Sequence, residues 1–257
     1  MMKSNDTEAL FPRPLSGRPV KNLPSALTPT RENLVGQDIV LERMDAEKHA
    51  GELFEAGHGD EDKLRIWDYL PYGPWENVAS YASTLRAQSA SFDPTFYAIR
   101  SNKTGRAVGQ ASFLSTDPQN GVTEVGHIWF APELQRTRGA TEALYLMIRH
   151  AFDDLDYRRM QWKCNALNAK SRAAALRLGF RFEGIHYNHM IAKGQNRDTA
   201  WYSILDDEWP EVREKTGDWL SAKNFDASGG ALSSLSQSMQ DRLPSRRDID
   251  EPGERRA

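Results

Sequence analysis

The 257-residue chain contains one cysteine, Cys164, so no intrachain disulfide can form and packing alone must hold the fold. It has no uninterrupted run of about 18 apolar residues, as a membrane-spanning helix would need. Its opening segment, MMKSNDTEALFPRPLSGRP, lacks the continuous apolar stretch of a secretory signal. Positive charge is not in excess. Against 36 Asp and Glu stand 33 Lys and Arg, a formal net charge of -3, which gives no general attraction to nucleic acid or an anionic membrane. Any anion site must therefore be local. The G-x-x-x-x-G-K-[ST] phosphate loop is missing. No zinc-like spacing of Cys, His and acidic residues occurs, and alternation puts His186 and His189 on opposite faces of a strand, so no metal is expected. These absences point to a reducing, cytoplasmic protein with neither nucleic-acid nor membrane partners.

What is present is an ordinary globular composition, 39% hydrophobic and 27% charged, which excludes disorder throughout. Residues 1–30 hold five of the thirteen prolines without apolar periodicity and read as a disordered arm. Residues 222–257 read as a disordered charged tail, although LSSLSQSMQDRL has some helical capacity. Residues 31–221 between them read as one mixed α/β domain. LVGQDIVLERM suits a first strand, Asp45 can cap a helix through Phe54, and a second helix is expected over Trp75 to Ser89. FYAIR, AVGQASFL and VTEVGHIWF, separated by SNKTG and TDPQNG, predict an antiparallel meander. Ala140, Leu144, Ile148, Ala151 and Phe152 then recur at helical steps. Strand RMQWKCN, a short helix capped by Asn168 and ended at Gly179, and two further strands complete the order.

The segment QRTRGATEA follows the strand ending at Phe130 and opens a helix. The unpaired N–H groups of a helix's first turn, with the positive end of its dipole, suit a phosphate, and Arg136 and Arg138 add to that field. On spacing alone the same segment serves equally well as a solvated loop. Cys164 shares a strand face with Met160 and Trp162, which describes a small buried hydrophobe rather than a nucleophile. The segment IWDYLPYGPWE concentrates flat apolar surface in Trp67, Tyr69, Tyr72 and Trp75, with Asp68 placed to meet a cationic amine; it also reads as an apolar cluster under a loop.

EVGHIWFAPELQRTRGATEAL followed by NALNAKSRAAALRLGFRFEG resembles the GCN5-related N-acetyltransferase (GNAT) superfamily. The likeness is to the branch related to the ribosomal-protein N-terminal acetyltransferases and spans about residues 34–210. It implies a central, mostly antiparallel, splayed sheet flanked by helices. It also implies an acyl-CoA-dependent N-acyltransferase, with acetyl-CoA or another acyl-CoA as cosubstrate and no metal. The acceptor would be a small-molecule amine or a protein N-terminus, and the protein a monomer or homodimer; a noncatalytic CoA-binding module of the same fold is the alternative. By the same resemblance, pantetheine lies along the strand bearing Ile128 and Phe130, and the loop Gln135, Arg136, Thr137, Arg138, Gly139, Ala140 and Thr141 wraps the pyrophosphate. Arg138 stands where the family's inner glycine is expected; reading instead from Arg136 keeps Gly139 in register but ends in threonine. Glu124 matches the family's strand glutamate, a general base acting through a water, although a structural carboxylate would also fit there. His127 is an alternative base that alternation places on the opposite face. Asn168 and Ser171 match the family's N-x-x-S pair, asparagine binding the cofactor arm and serine protonating the leaving thiolate. Ala175 stands where many relatives have tyrosine, so Ser171 carries the proton-donor role, unless it is simply a first-turn serine. Trp67, Asp68, Tyr69, Tyr72 and His127 would line the acceptor cleft.

Overall fold

The computed structural model describes residue 20 and residues 23–242. Eight strands form one sheet in the order β1-β2-β3-β4-β5-β6-β8-β7. β1 (Leu34–Val35), β2 (Ile39–Arg43), β3 (Thr95–Ser101), β4 (Ala107–Asp117) and β5 (Val122–Phe130) pair antiparallel in succession. The expected meander is the last three of these. β6 (Arg159–Asn165) runs parallel to β5, and β8 (Gln195–Leu205) lies between β6 and β7 (Arg181–Ala192).

Helices cover both faces where the strands offer apolar residues. α1 (Ala46–Gly57) begins at Asp45, whose carboxylate accepts from the amides of Glu47 and Lys48, and it buries Ala46, Ala50, Leu53 and Ala56. A single turn, α2 (Glu61–Leu64), leads through the aromatic segment to α3 (Val78–Ala90). α3 starts later than the expected Trp75 because Asn77 is the cap, its side chain accepting from the Ser80 amide. α4 (Arg138–Arg149) packs on the other face: Phe113 of β4 meets His150 just beyond its end, and Gly139 lies against Ile39 of β2. α5 (Ala169–Arg177) ends at Gly179, whose φ of +92° is the left-handed cap its position called for. α6 (Trp209–Leu220) follows β8.

Parts of both segments expected to be disordered pack on the domain. Leu27 and Thr30 give their carbonyls to the buried phenols of Tyr157 and Tyr97, and the Thr30 amide donates to His150. Residues 24–30 are thus tied to the domain by polar groups that composition does not reveal. At the other end, α7 (Leu235–Gln240) buries Leu235 and Met239, and Arg242 donates to the Gly179 carbonyl. The tail through Arg242 is therefore part of the packed body, while the expected arm before Pro24, apart from Val20 and Leu23, and the tail after Arg242 lie outside the described residues. Among the described residues no helix is long and apolar enough to cross a membrane.

Candidate active site

The sheet opens where β5 and β6 part. Their parallel register holds for Val122–Arg159, Thr123–Met160 and Glu124–Gln161, then stops, although both strands continue. Ile128 and Phe130, both half-buried, lie on the diverging part of β5. Asn168 and Ser171 begin α5 just after β6, on the other strand's side of the gap.

Glu124 stands at the point of divergence. It is 2% exposed, and Lys163 of β6 donates to its Oε2 at 2.8 Å. Burial raises its pKa above the usual glutamate range, although Lys163 and Arg197 pull in the opposite direction. A carboxylate so placed is a stronger proton acceptor than a solvated one.

His127 departs from the expected alternation. β5 carries a bulge there: Gly126 pairs with Ser112 and Trp129 with Gln110, so Ala111 alone opposes two residues, and His127 takes a φ of +51°. The extra residue resets the strand's facing. His127 packs on Phe96, which is registered opposite Ser112 and so shares the face of Gly126 and Glu124. It also stacks on Tyr72, whose hydroxyl shares a 2.9 Å hydrogen bond with Nδ1. Opposite faces for Glu124 and His127 is thus corrected to one face, because the bulge adds a residue to one strand only. Burial, with the charges of Lys163 and Arg197, lowers the His127 pKa to about 4, so its ring is neutral at pH 7.

A larger irregularity between His186 and Met190, where three residues of β7 stand against Asp198 alone and Asn188 takes a φ of +50°, corrects the other histidine pair. Both His186 and His189 contact the Trp201 ring, with their own centroids 5.3 Å apart.

At the far end of β5 the chain turns into α4. Gln135 donates from its side chain to the Phe130 carbonyl at 2.9 Å, folding the loop back on the strand. Thr137 caps the helix: its hydroxyl donates to the Leu134 carbonyl and accepts from the Ala140 amide. The left-handed residue is Arg136, with φ +62°, whereas Arg138 is the first helical residue. The backbone thus needs no glycine at 138. The Arg138 guanidinium is engaged away from the loop, pairing with Asp38 at 2.8 Å, donating to Gln37 and lying over the Phe225 ring. One turn on, the buried Glu142 carboxylate accepts from the amides of Gln37, Asp38 and Ile39 at 2.7, 2.7 and 3.1 Å. A Cβ on Gly36 would lie 2.5 Å from that carboxyl carbon, so the turn can approach only as glycine. The start of α4 is therefore bolted to the β1–β2 turn. Gly139 and Ala140 are buried, and Thr141 accepts from Arg177.

Of the aromatic segment, Tyr72 reaches the site through His127. Trp67 does not: it is 1% exposed, donates to the Gly57 carbonyl and forms part of the core. Asp68 is exposed, and Tyr69, also exposed, touches the Leu167 carbonyl. Lys193, at the tip between β7 and β8, donates to the Trp67 carbonyl and joins that hairpin to the aromatic segment. The Asn168 side chain caps α5 by accepting from the Ser171 amide at 3.0 Å. The Ser171 hydroxyl accepts from Trp162 at 3.1 Å, and Cys164, buried nearby, has its thiol pKa raised by that burial. Lys163 and Arg197 were not anticipated. Strand alternation around Met160, Trp162 and Cys164 was the available signal for Lys163, and none marked Arg197.

The acetyltransferase (GNAT) domain family matches residues 38–181. A GCN5-related N-acetyltransferase from Brucella melitensis has a crystal structure similar to this chain, with TM-score 0.82 and 39% identity, covering 86% of this chain and 99% of that one. A Bacillus subtilis (strain 168) protein named "Putative ribosomal N-acetyltransferase YdaF" is 28% identical over 66% of this chain and 91% of its own length. Its name agrees with the branch resemblance seen in the sequence. The fold is also that of the microcin C7 self-immunity acetyltransferase MccE, solved with acetyl-CoA and AMP, at TM-score 0.57 and 23% identity over 66% of this chain and 93% of that one. With the splayed strands, the capped helix start and this family match in place, the chain belongs to the GNAT family and is an N-acetyltransferase.

Proposed function

We propose that the chain transfers acetyl from acetyl-CoA directly to a primary amine, in the gap that opens between β5 and β6 beyond Glu124. The observation that carries this reading is the buried Glu124 carboxylate at the point of divergence, its proton affinity raised by burial. Glu124, through a water, takes the proton that the amine must lose before its nitrogen attacks the thioester carbonyl. The carbonyl is polarised by amides on the part of β5 that has parted from β6. As the C–S bond breaks, the thiolate takes the Ser171 proton, which is replaced by the proton the nitrogen loses on becoming an amide; the Ser171 oxygen is already held by Trp162. His127 and Tyr72 form the acceptor side, where a neutral imidazole does not repel an incoming ammonium group. The pyrophosphate rests on the first-turn amides of α4, with Arg136 beside it. Asn168 holds the cofactor arm.

A protein N-terminus is the first acceptor to try, since the B. subtilis relative is named for ribosomal acetylation. The test is thiol release from acetyl-CoA and from succinyl-CoA, against peptides, polyamines and aminoglycosides, with Glu124→Gln as control. Release with at least one amine supports the reading. Tight CoA binding with no release from any amine favours the noncatalytic module, for which the Lys163 contact to Glu124 would then be purely structural.

A further inference from the structure

Arg197 is 8% exposed, on the stretch of β8 that extends past the end of β6. It faces the same way as Thr199 and Trp201, which are registered opposite Asn165 and Lys163, so it belongs to the face that carries the Glu124–Lys163 pair. Four titratable groups surround it closely enough to feel its charge: Glu124 and His127 on β5, Cys164 on β6 and His189 on β7. None of them is bonded to it, although the Glu124 carboxylate favours its charged form from a distance. Glu124 is bonded to Lys163 instead, the two histidines have their pKa values lowered, and the Cys164 thiol is raised. The neighbouring Asp198 is taken by the Asn188 amide and the Asn196 side chain. The buried Nε of Arg197 has no hydrogen-bond partner, and among the described residues the guanidinium makes no ion pair. Burying an arginine without a bonded counter-charge is costly, and a ligand that carries a negative charge to it offsets that cost.

We propose that Arg197 binds a carboxylate carried by one of the two substrates, making this enzyme selective for an anionic acyl group or for an amine that bears a carboxylate. The planar guanidinium suits a carboxylate, which it can hold with two parallel hydrogen bonds. The positive charges of Lys163 and Arg197 against the single negative charge of Glu124 leave room for one further anion. This inference deepens the acyl-transfer reading and rests on it.

The test is equilibrium binding to the intact protein and to Arg197→Met and Arg197→Lys, by calorimetry, with two matched comparisons. One sets succinyl-CoA against acetyl-CoA. The other, with CoA present, sets dipeptides against the same dipeptides whose carboxylates are replaced one at a time by carboxamides. The proposal expects wild type to prefer the carboxylate form in one comparison, by about 10- to 100-fold, as suits a charge-assisted bond. Arg197→Met loses that preference and Arg197→Lys keeps part of it. The comparison that responds names the source. Arg197→Met should also melt no lower than wild type, because it removes an unpaired buried charge. Preferences that are absent in wild type, or unchanged in Arg197→Met, overturn the proposal, as does a clearly lowered melting temperature with unchanged preferences. Failure of thiol release would strike the acyl-transfer reading alone, since these binding ratios need no turnover.

Discussion

Replacing Glu142 by alanine removes the acceptor for three backbone amides at once. The N–H groups of Gln37, Asp38 and Ile39 converge on its two oxygens at 2.7, 2.7 and 3.1 Å, and the Ile39 bond is buried. A hydrogen bond to a charged group contributes about 1.5–3 kcal/mol net. The three share one carboxylate and the exposed Gln37 amide can turn to water, so the summed loss is nearer about 3–4 kcal/mol than three times the single value. For a domain of this size each kcal/mol lowers the melting temperature by roughly 2–4 °C, giving an expected fall of about 6–16 °C. Gly36→Ala should reproduce the effect from the other side, because its methyl would occupy the carboxylate's place. The same bolt sets where α4 begins, so both variants should raise the KM for acetyl-CoA several-fold while changing kcat less. Differential scanning calorimetry and steady-state kinetics read both effects. A Glu142→Ala protein melting within about 2 °C of wild type, with unchanged KM, would refute the idea that this carboxylate positions the helix start.

Arg138→Ala should lower stability by only about 0.5–1 kcal/mol, since its ion pair with Asp38 is partly solvated. It should also leave the acetyl-CoA KM within about threefold, because the guanidinium points to the β1–β2 turn; a tenfold rise would mean that Arg138 grips phosphate. Glu42 is opposed by burial, yet hydrogen bonds from Lys48, His49 and Arg100 prevail and lower its pKa to about 2. A depressed carboxylate stabilises the fold above its unfolded value near 4.5, and that contribution is lost as pH falls from there towards about 2. The stability gap between wild type and Glu42→Gln, read by denaturant titration, should be full at neutral pH, about 2–3 kcal/mol, and should close over that acid range. Leu235→Ala, in the terminal helix, should cost about 2–4 kcal/mol as a buried leucine does, whereas a change below about 0.5 kcal/mol would mean the helix is not docked.

The strands were legible because their apolar and polar residues alternate or run in β-branched blocks between strong turns, and α1 and α5 because Asp45 and Asn168 are capping residues at the right places. Period-two reasoning failed at His127 and His189, where one extra residue on β5 and two on β7 interrupt the alternation; a bulge depends on the partner strand's register, which a single stretch of sequence does not carry. Trp67 illustrates the opposite difficulty. An aromatic residue in a Pro- and Gly-rich loop looks available to a ligand, but its indole N–H finds the Gly57 carbonyl and the ring goes to the core. Arg138 and Glu142 were visible as charges at a helix start, but the three amides and the acid that engage them lie about a hundred residues earlier in the chain. The docked tail was missed for a related reason: two buried side chains and one arginine suffice to hold a short polar helix.

The most direct test of the account is the pH profile of kcat/KM for acetyl-CoA and the best amine acceptor, measured in wild type and in Glu124→Gln. With burial raising the Glu124 pKa, the wild-type rate should climb with pH through an acid limb above the ordinary glutamate range, as the carboxylate loses its proton. Glu124→Gln should lose that limb and fall by about 10²- to 10⁴-fold, the usual contribution of a general base. Unchanged turnover and an unchanged profile in Glu124→Gln would contradict the assignment of Glu124 as the base.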